Sequence, residues 1–187
     1  MNEKLFDLIE RLGSLIRSSQ RAHGMEHLQP VHWQVLRYLA TCNRYSNTPS
    51  AVAAYLGVTK GTASQSLNVL VRNDLVALRP DPHDRRMVRL ELTPKGAMLA
   101  ADITARSGWM EAYGQLDPTA ARTATATLEQ LLRGLQVRNG HRSFGECRTC
   151  RHFQRIGDIE FRCGLTGEPL SEGDSRQICQ EHALELS

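Results

Sequence analysis

The chain has 187 residues, 41% of them hydrophobic and 23% charged, with a formal net charge of +3. That length accommodates one sizeable core plus a small appendage, and the composition excludes a wholly disordered chain. No apolar run approaches the roughly 20 residues that a bilayer-spanning helix needs, and the opening MNEKLFDLIERLGSLIR interleaves acidic with apolar groups, unlike a secretory leader. A non-membrane, cytoplasmic protein is the expectation.

Leu5, Leu8, Ile9, Leu12, Leu15 and Ile16 recur at three-and-four spacing, which predicts an amphipathic helix over residues 3–23. Its apolar face belongs either to the core or, if the helix lies outside it, to a partner. Val31, Val35, Leu36 and Leu39 repeat the spacing behind Pro30, a residue suited to a first helical turn. After the turn NRYSNTPS, the segment TPSAVAAYLGV reads as a short helix. Thr48 or Ser50 lies near its cap, Pro49 in its first turn, and Gly57 ends it where a positive φ is needed. TKGTASQSLNVLVRNDL then starts at the capping residue Thr59 and turns Ala63, Leu67 and Leu70 towards a core. Two short helices about a glycine-containing turn form a helix-turn-helix.

The other face of the second helix carries Lys60, Thr62, Ser64, Gln65, Asn68 and Arg72. Short hydrogen-bonding groups and cations of this kind read base edges and hold phosphates in a major groove, whereas a merely solvated face would favour Glu and Lys pairs. The basic excess lies in the same part of the chain: residues 1–140 hold 17 Lys and Arg against 12 Asp and Glu, and residues 141–187 hold 6 against 8. LVALRPDPHDRRMVRLELTP alternates around a Pro- and Asp-rich turn, with Val76 and Leu78 before it and Met87, Val88, Leu90 and Leu92 after it. A hairpin here is the wing of a winged helix. Arg85, Arg86 and Arg89 are its candidate phosphate or minor-groove contacts, and Asp84 is placed to orient a guanidinium. KGAMLAADITARSGWMEAYGQL supplies Met98, Leu99, Ile103 and Met110 for packing. DPTAARTATATLEQLLRGLQVRN then predicts a helix capped by Asp117, with Pro118 first, a stripe of Leu128, Leu131, Leu132 and Leu135, and a stop at Asn139 and Gly140.

HDRRMVRLELTPKG resembles the wing signature of the MarR family of winged-helix regulators, Asp-x-Arg, a short apolar strand, then Leu-Thr-x-x-Gly. Asp84, Arg86, Leu92, Thr93 and Gly96 carry the match. LGVTKGTASQSLNVLVRNDLV resembles the recognition-helix segment of the same family, and the likeness extends over roughly residues 5–138. The resemblance implies a homodimer whose terminal helices intertwine, with residues 5–22 and 119–138 at the interface. It also implies a pseudo-palindromic double-stranded DNA operator, read by two recognition helices in successive major grooves about one helical turn apart. A small-molecule effector pocket near Trp33 or Trp109 is implied as well, against the plainer reading that both are core or interface residues.

The tail holds Cys147, Cys150, Cys163 and Cys179, four of the five cysteines, spaced C-x2-C-x12-C-x15-C. Cys42 stands apart and reads as a small buried apolar residue. In a reducing compartment such a cluster argues for metal over disulfides. About 45 residues with few apolar groups cannot offset their chain entropy by burial, and four thiolates around Zn²⁺ supply the missing folding energy. An iron–sulfur cluster satisfies the same count, and a thiol switch at Cys147 and Cys150 is a third reading. His182 reads as a spare or supporting group beside a complete ligand set.

The expected architecture is therefore mainly α with a small β-hairpin wing, a MarR-like winged helix-turn-helix over residues 1–140, followed by a cysteine-rich metal-bound module over 141–187. The expected function is a DNA-binding regulator, a repressor, acting as a homodimer. The competing readings are a metal-dependent protein-interaction module that no longer binds DNA, and an iron–sulfur redox sensor. No Ser/His/Asp set, phosphate loop or open metal pair points to an enzyme.

Overall fold

The helix after Pro30 is the element around which the others pack, because its spacing puts His32, Trp33, Val35, Leu36 and Tyr38 on one buried face. The computed structural model describes residues 3–20, 27–81, 84–106, 108–138 and 143–184. In chain order, α1 (Glu3–Gln20) precedes this central α2 (Pro30–Thr41), followed by α3 (Pro49–Leu56) and α4 (Lys60–Arg72). The wing is β1 (Val76–Pro80) paired antiparallel with β2 (Val88–Leu92), in a register that sets Val76 opposite Leu92 and Pro80 opposite Val88. Then come α5 (Pro94–Arg106), α6 (Trp109–Gly114) and α7 (Pro118–Arg138).

The caps fall where side-chain chemistry places them. Thr48 accepts from the Ala51 amide and Thr59 from the Thr62 amide, while Gly57 closes α3 at φ 64°, the left-handed region. Asp117 Oδ1 accepts from the Thr119 and Ala120 amides at 2.9 and 3.0 Å, opening α7. Ala63, Leu67 and Leu70 of α4, Val52 of α3, and Leu75, Val76 and Leu90 of the wing close the core over α2.

Gly108, at φ 67°, separates α5 from α6, so the segment after the wing makes two helices. Two expectations change. Met98 and Met110 are exposed rather than packed. Met87 lies in the wing turn, donating its amide to Asp84, and not in the strand. Residues 21–23 of the predicted first helix, His83 of the wing motif, the Ile103 side chain and the Asn139–Gly140 stop lie outside the described residues.

Along α1, Leu5, Phe6, Leu8, Ile9, Leu12 and Leu15 are exposed, and along α7 so are Leu128, Leu131, Leu132, Leu135 and Val137. Faces this apolar are costly in water and are the mark of a surface awaiting a partner. Among the described residues no helix is long and apolar enough to cross a membrane.

The tail begins with β3 (Gly145–Glu146) and a 3₁₀ turn over Cys147–Thr149, then β4 (Phe153–Arg155), β5 (Phe161–Cys163), β6 (Pro169–Leu170), α8 (Glu172–Ser175) and β7 (Ile178–Cys179). β4, β5 and β6 form one small antiparallel sheet, and β3 pairs with β7 in another. Its own apolar packing is thin. Phe153 stacks on Phe161 at 5.2 Å and Leu170 is buried, but Ile156, Ile159 and Leu165 are exposed.

Gly96, the last residue of the wing motif, is fixed by packing. A Cβ there would stand 2.0 Å from the Leu75 carbonyl oxygen, while Thr93 Oγ1 donates to the Asp74 carbonyl and accepts from the Gly96 amide. Gly96→Ala is expected to cost about 1–3 kcal/mol or more, since the obstacle is backbone. Thermal unfolding reads this as a lowered Tm, and an unchanged Tm would show that the α5–β1 junction gives way freely.

Candidate nucleic-acid interface and thiol site

Lys60, Thr62, Ser64, Gln65, Asn68 and Arg72 are all exposed and occupy the arc of α4 opposite the buried Ala63, Ser66, Leu67 and Leu70. Lys60, Ser64, Asn68 and Arg72 fall on one i, i+4 row, with Gln65 beside it. Thr62 shares its hydroxyl with Thr59 at 3.0 Å, and the Arg72 guanidinium reaches back to the Asn68 carbonyl at 3.3 Å. In the wing, Arg85 and Arg86 are exposed at the tip. Asp84 orients Arg86, accepting from its backbone amide at 3.0 Å and its Nε at 3.2 Å.

Arg89 is differently employed. Its Nε donates to the buried Asp81 carboxylate at 2.5 Å, and its Nη1 donates to the Arg44 carbonyl at 2.9 Å and Asn47 Oδ1 at 3.2 Å. The side chain is half-buried at the base of the wing and ties it to the α2–α3 loop. Asn47 completes the tie: its carbonyl accepts from the Leu90 amide at 2.8 Å, and its side-chain amide donates to the Leu90 carbonyl at 3.2 Å.

Cys147, Cys150, Cys163 and Cys179, 32 residues apart at the extremes, line one common cavity, whose wall also includes Tyr45 of the α2–α3 loop and Arg89 of the wing. The turn chemistry delivers them. Cys150 donates its amide to the Cys147 carbonyl across the 3₁₀ turn, and the second turn, with Gly167 at φ 75°, closes by the Gly167 amide donating to the Cys163 carbonyl. The Ala183 amide donates to Cys150 Sγ at 3.4 Å. An amide donor aimed at sulfur suits a thiolate ligand of a soft cation, so the donor type fits Zn²⁺ or an iron–sulfur cluster. Among the described residues no group of three or more Cys, His, Asp or Glu side chains is already drawn into metal-holding geometry, so the sulfurs share the cavity without forming a closed set.

Burial, and then the neighbouring Cys179, Cys163 and Cys150, pushes the Cys147 thiol up to about 12. Burial also raises Cys179. This is the opposite of the depressed pKa that a nucleophilic switch thiol needs. Cys42, buried at the end of α2, is likewise pushed up to about 12 by burial and is an inert packing thiol. His182 lies off the cavity. Its Nδ1 pairs with Ser143 Oγ at 2.7 Å and its Nε2 with Thr149 Oγ1 at 2.9 Å, so both ring nitrogens are occupied, and burial lowers its pKa.

A groove between α2–α3 and α7 is lined by Arg37, Tyr38, Tyr55, Leu132, Leu135 and Phe144. Neither tryptophan lines it; Trp33 is 1% exposed in the core. The residues that the sequence did not single out are Asn43, Arg44, Tyr45 and Ser46, hidden in what reads as a polar turn.

A helix-turn-helix followed by a two-stranded wing and flanked by long apolar-faced helices defines the MarR-type winged-helix fold, and comparison with known proteins agrees. Residues 28–87 match the family model described as MarR family. The HTH-type transcriptional repressor NicR of Pseudomonas putida is 30% identical over 100 residues, a match spanning 50% of this chain and 63% of that protein. The structure of Streptococcus pneumoniae FabT in complex with DNA aligns with a TM-score of 0.59 and 22% identity, over 72% of this chain and 94% of that one. A MarR transcriptional regulator from Methanosarcina mazei Go1 aligns with a TM-score of 0.57 and 24% identity, over 72% and 96%. The S. aureus MepR–DNA complex aligns with a TM-score of 0.56 and 23% identity, over 72% and 98%. At these identities the structures share the fold.

The two wing arginines separate by energetics. Arg89→Ala withdraws the guanidinium from the buried Asp81 carboxylate and is expected to cost about 3 kcal/mol of stability. Arg86→Ala removes an exposed pair and is expected to cost roughly 0–1 kcal/mol. Denaturant unfolding of both variants checks the contrast, and equal losses would contradict the anchoring role of Arg89.

Proposed function

We propose that this chain is a sequence-specific DNA-binding transcriptional regulator, a repressor that acts as a homodimer on a pseudo-palindromic operator, and that its tail holds a zinc ion. The observation that carries the DNA reading is the outward arc of α4 beside an exposed, oriented arginine at the wing tip. In this reading Lys60, Thr62, Ser64, Gln65 and Asn68 contact base edges and phosphates. Arg72, Arg85 and Arg86 neutralise phosphates, and Arg89 acts by holding the wing in place. Repression is supported by the likeness to NicR, and DNA binding by the FabT and MepR complexes with the same fold. The two apolar helix faces support dimerisation: α1 and α7 of one protomer would cover those of the other, which spaces two copies of α4 for successive major grooves, about 34–36 Å apart. The α2–α3–α7 groove, lined by two tyrosines and a phenylalanine, suits a small aromatic effector.

Zinc would be held by Cys147, Cys150, Cys163 and Cys179. A four-thiolate shell leaves no open coordination position, so the ion contributes folding energy and no chemistry on a substrate. An iron–sulfur cluster is the competing occupant of the same cavity.

Two measurements test this reading. On a DNA fragment selected by the protein itself, Arg86→Ala is expected to weaken binding uniformly and to flatten the salt dependence by about one counterion; an unchanged affinity and slope would remove the wing from the interface. Anaerobically purified protein is expected to be colourless with about one zinc per chain, lost in the Cys147→Ser, Cys150→Ser double variant. Bound iron and sulfide with visible absorption would replace zinc by a cluster.

A further inference from the structure

The seven residues Cys42–Thr48 between α2 and α3 are gripped from both sides. On the tail side, the Asn43 amide donates to the Ile178 carbonyl at 2.9 Å. The Gln180 amide donates to Ser46 Oγ at 2.8 Å, and its side chain to the Tyr45 carbonyl at 3.0 Å. The Arg44 guanidinium reaches Glu168 at 2.9 Å and the Pro169 carbonyl at 3.1 Å, and Tyr45 OH donates to Glu168 at 2.6 Å. On the wing side, the same loop receives the Leu90 amide at Asn47 and the Arg89 guanidinium at Arg44 and Asn47. Asn43 and Ser46 are buried at 3% and 0% exposure, so they depend on these partners rather than on water.

We infer that the thiol module is a metal-dependent buttress for the wing: zinc held by the four cysteines orders the tail, the tail fixes the Cys42–Thr48 loop, and the loop fixes β2. The inference rests on the zinc reading proposed above. It follows from three features together. Tyr45 and Arg89, one from the loop and one from the wing, form part of the wall of the thiol cavity itself. Asn43 bridges the two units: its backbone amide donates to the tail's Ile178 carbonyl at 2.9 Å, while its Oδ1 accepts from Ser46 Oγ at 2.7 Å and the Tyr45 amide at 3.2 Å. Phe144 and Ile178 pack the tail against the α2–α3 core, but the thiol-bearing part between them has only the Phe153–Phe161 pair and Leu170 as apolar packing, which leaves it dependent on a metal in this reading. Zinc occupancy thereby regulates DNA affinity. By linkage, DNA binding tightens zinc by the same factor.

Amide hydrogen exchange on the reduced full-length chain, with no DNA present, tests the coupling directly. It is measured with zinc bound and after removal of zinc by a chelator, alongside metal content. The expected result is that the Leu90 amide and its neighbours in β2 exchange about ten-fold or more faster without zinc, while α2 stays protected. A wing whose exchange is unchanged while residues 145–184 lose protection would overturn the coupling and leave zinc as a purely local clip. A chain that binds no zinc would overturn the metal reading and this inference with it. A double variant, Arg44→Ala with Gln180→Ala, keeps the test sharp if the metal-free chain opens globally, because it cuts the joint outside both the thiols and the proposed DNA contacts. It is expected to keep its zinc yet show faster wing exchange than the zinc-loaded wild type; zinc-loaded exchange equal to wild type would contradict the route through the loop.

Discussion

The loop between α2 and α3 is the constraint on which the working parts of this chain depend. Asn43, Ser46 and Thr48 are buried polar residues, and each must find its hydrogen bonds inside the protein. Thr48 satisfies the first turn of α3, Asn47 takes β2 of the wing, and Asn43 and Ser46 take the tail. One short segment thus sets the start of the helix-turn-helix, the position of the wing and the seat of the cysteine module. Arg89 belongs to this system: its pairing with Asp81 across the hairpin and with the loop makes it a strut between elements.

Two parts of the chain carry less apolar burial than their length requires. α1 and α7 present leucine-rich faces to water, and covering them is what the proposed dimer does. The tail, by contrast, packs Phe144 and Ile178 on the α2–α3 core but has only one further aromatic pair and one buried leucine, and its four thiols line one cavity. In the proposed function the first deficit is met by a second copy of the chain and the second by an ion, so association and metal content are expected to be separable properties of the same molecule.

Much of this was legible in the sequence where the controlling interactions are local. Thr48, Thr59 and Asp117 act as caps within three residues of their partners, Gly57 adopts the left-handed conformation that its place after an apolar run demands, and the α4 arc follows from helical spacing. Asp84 and Arg86 are two residues apart and pair as their chemistry suggests. What could not be read depends on contacts distant in sequence. Gln180 and Ser46 are 134 residues apart, and Arg89 and Arg44 are 45 apart, so a polar turn and a charged strand gave no sign of their joint role. The break at Gly108 is not signalled by the apolar residues on either side of it, and the partners of His182, Ser143 and Thr149, lie 39 and 33 residues away from it.

The proposed function requires the chain to act as a symmetric reader of DNA. The most direct measurement is a footprint of the full-length, zinc-loaded protein on DNA upstream of its own gene, across a range of salt. The expected result is a protected pseudo-palindrome with two major-groove contacts about one helical turn apart, fading as salt rises. No protection at any salt, from a protein that is folded and carries its metal, would contradict it and leave a metal-dependent protein-interaction module in its place.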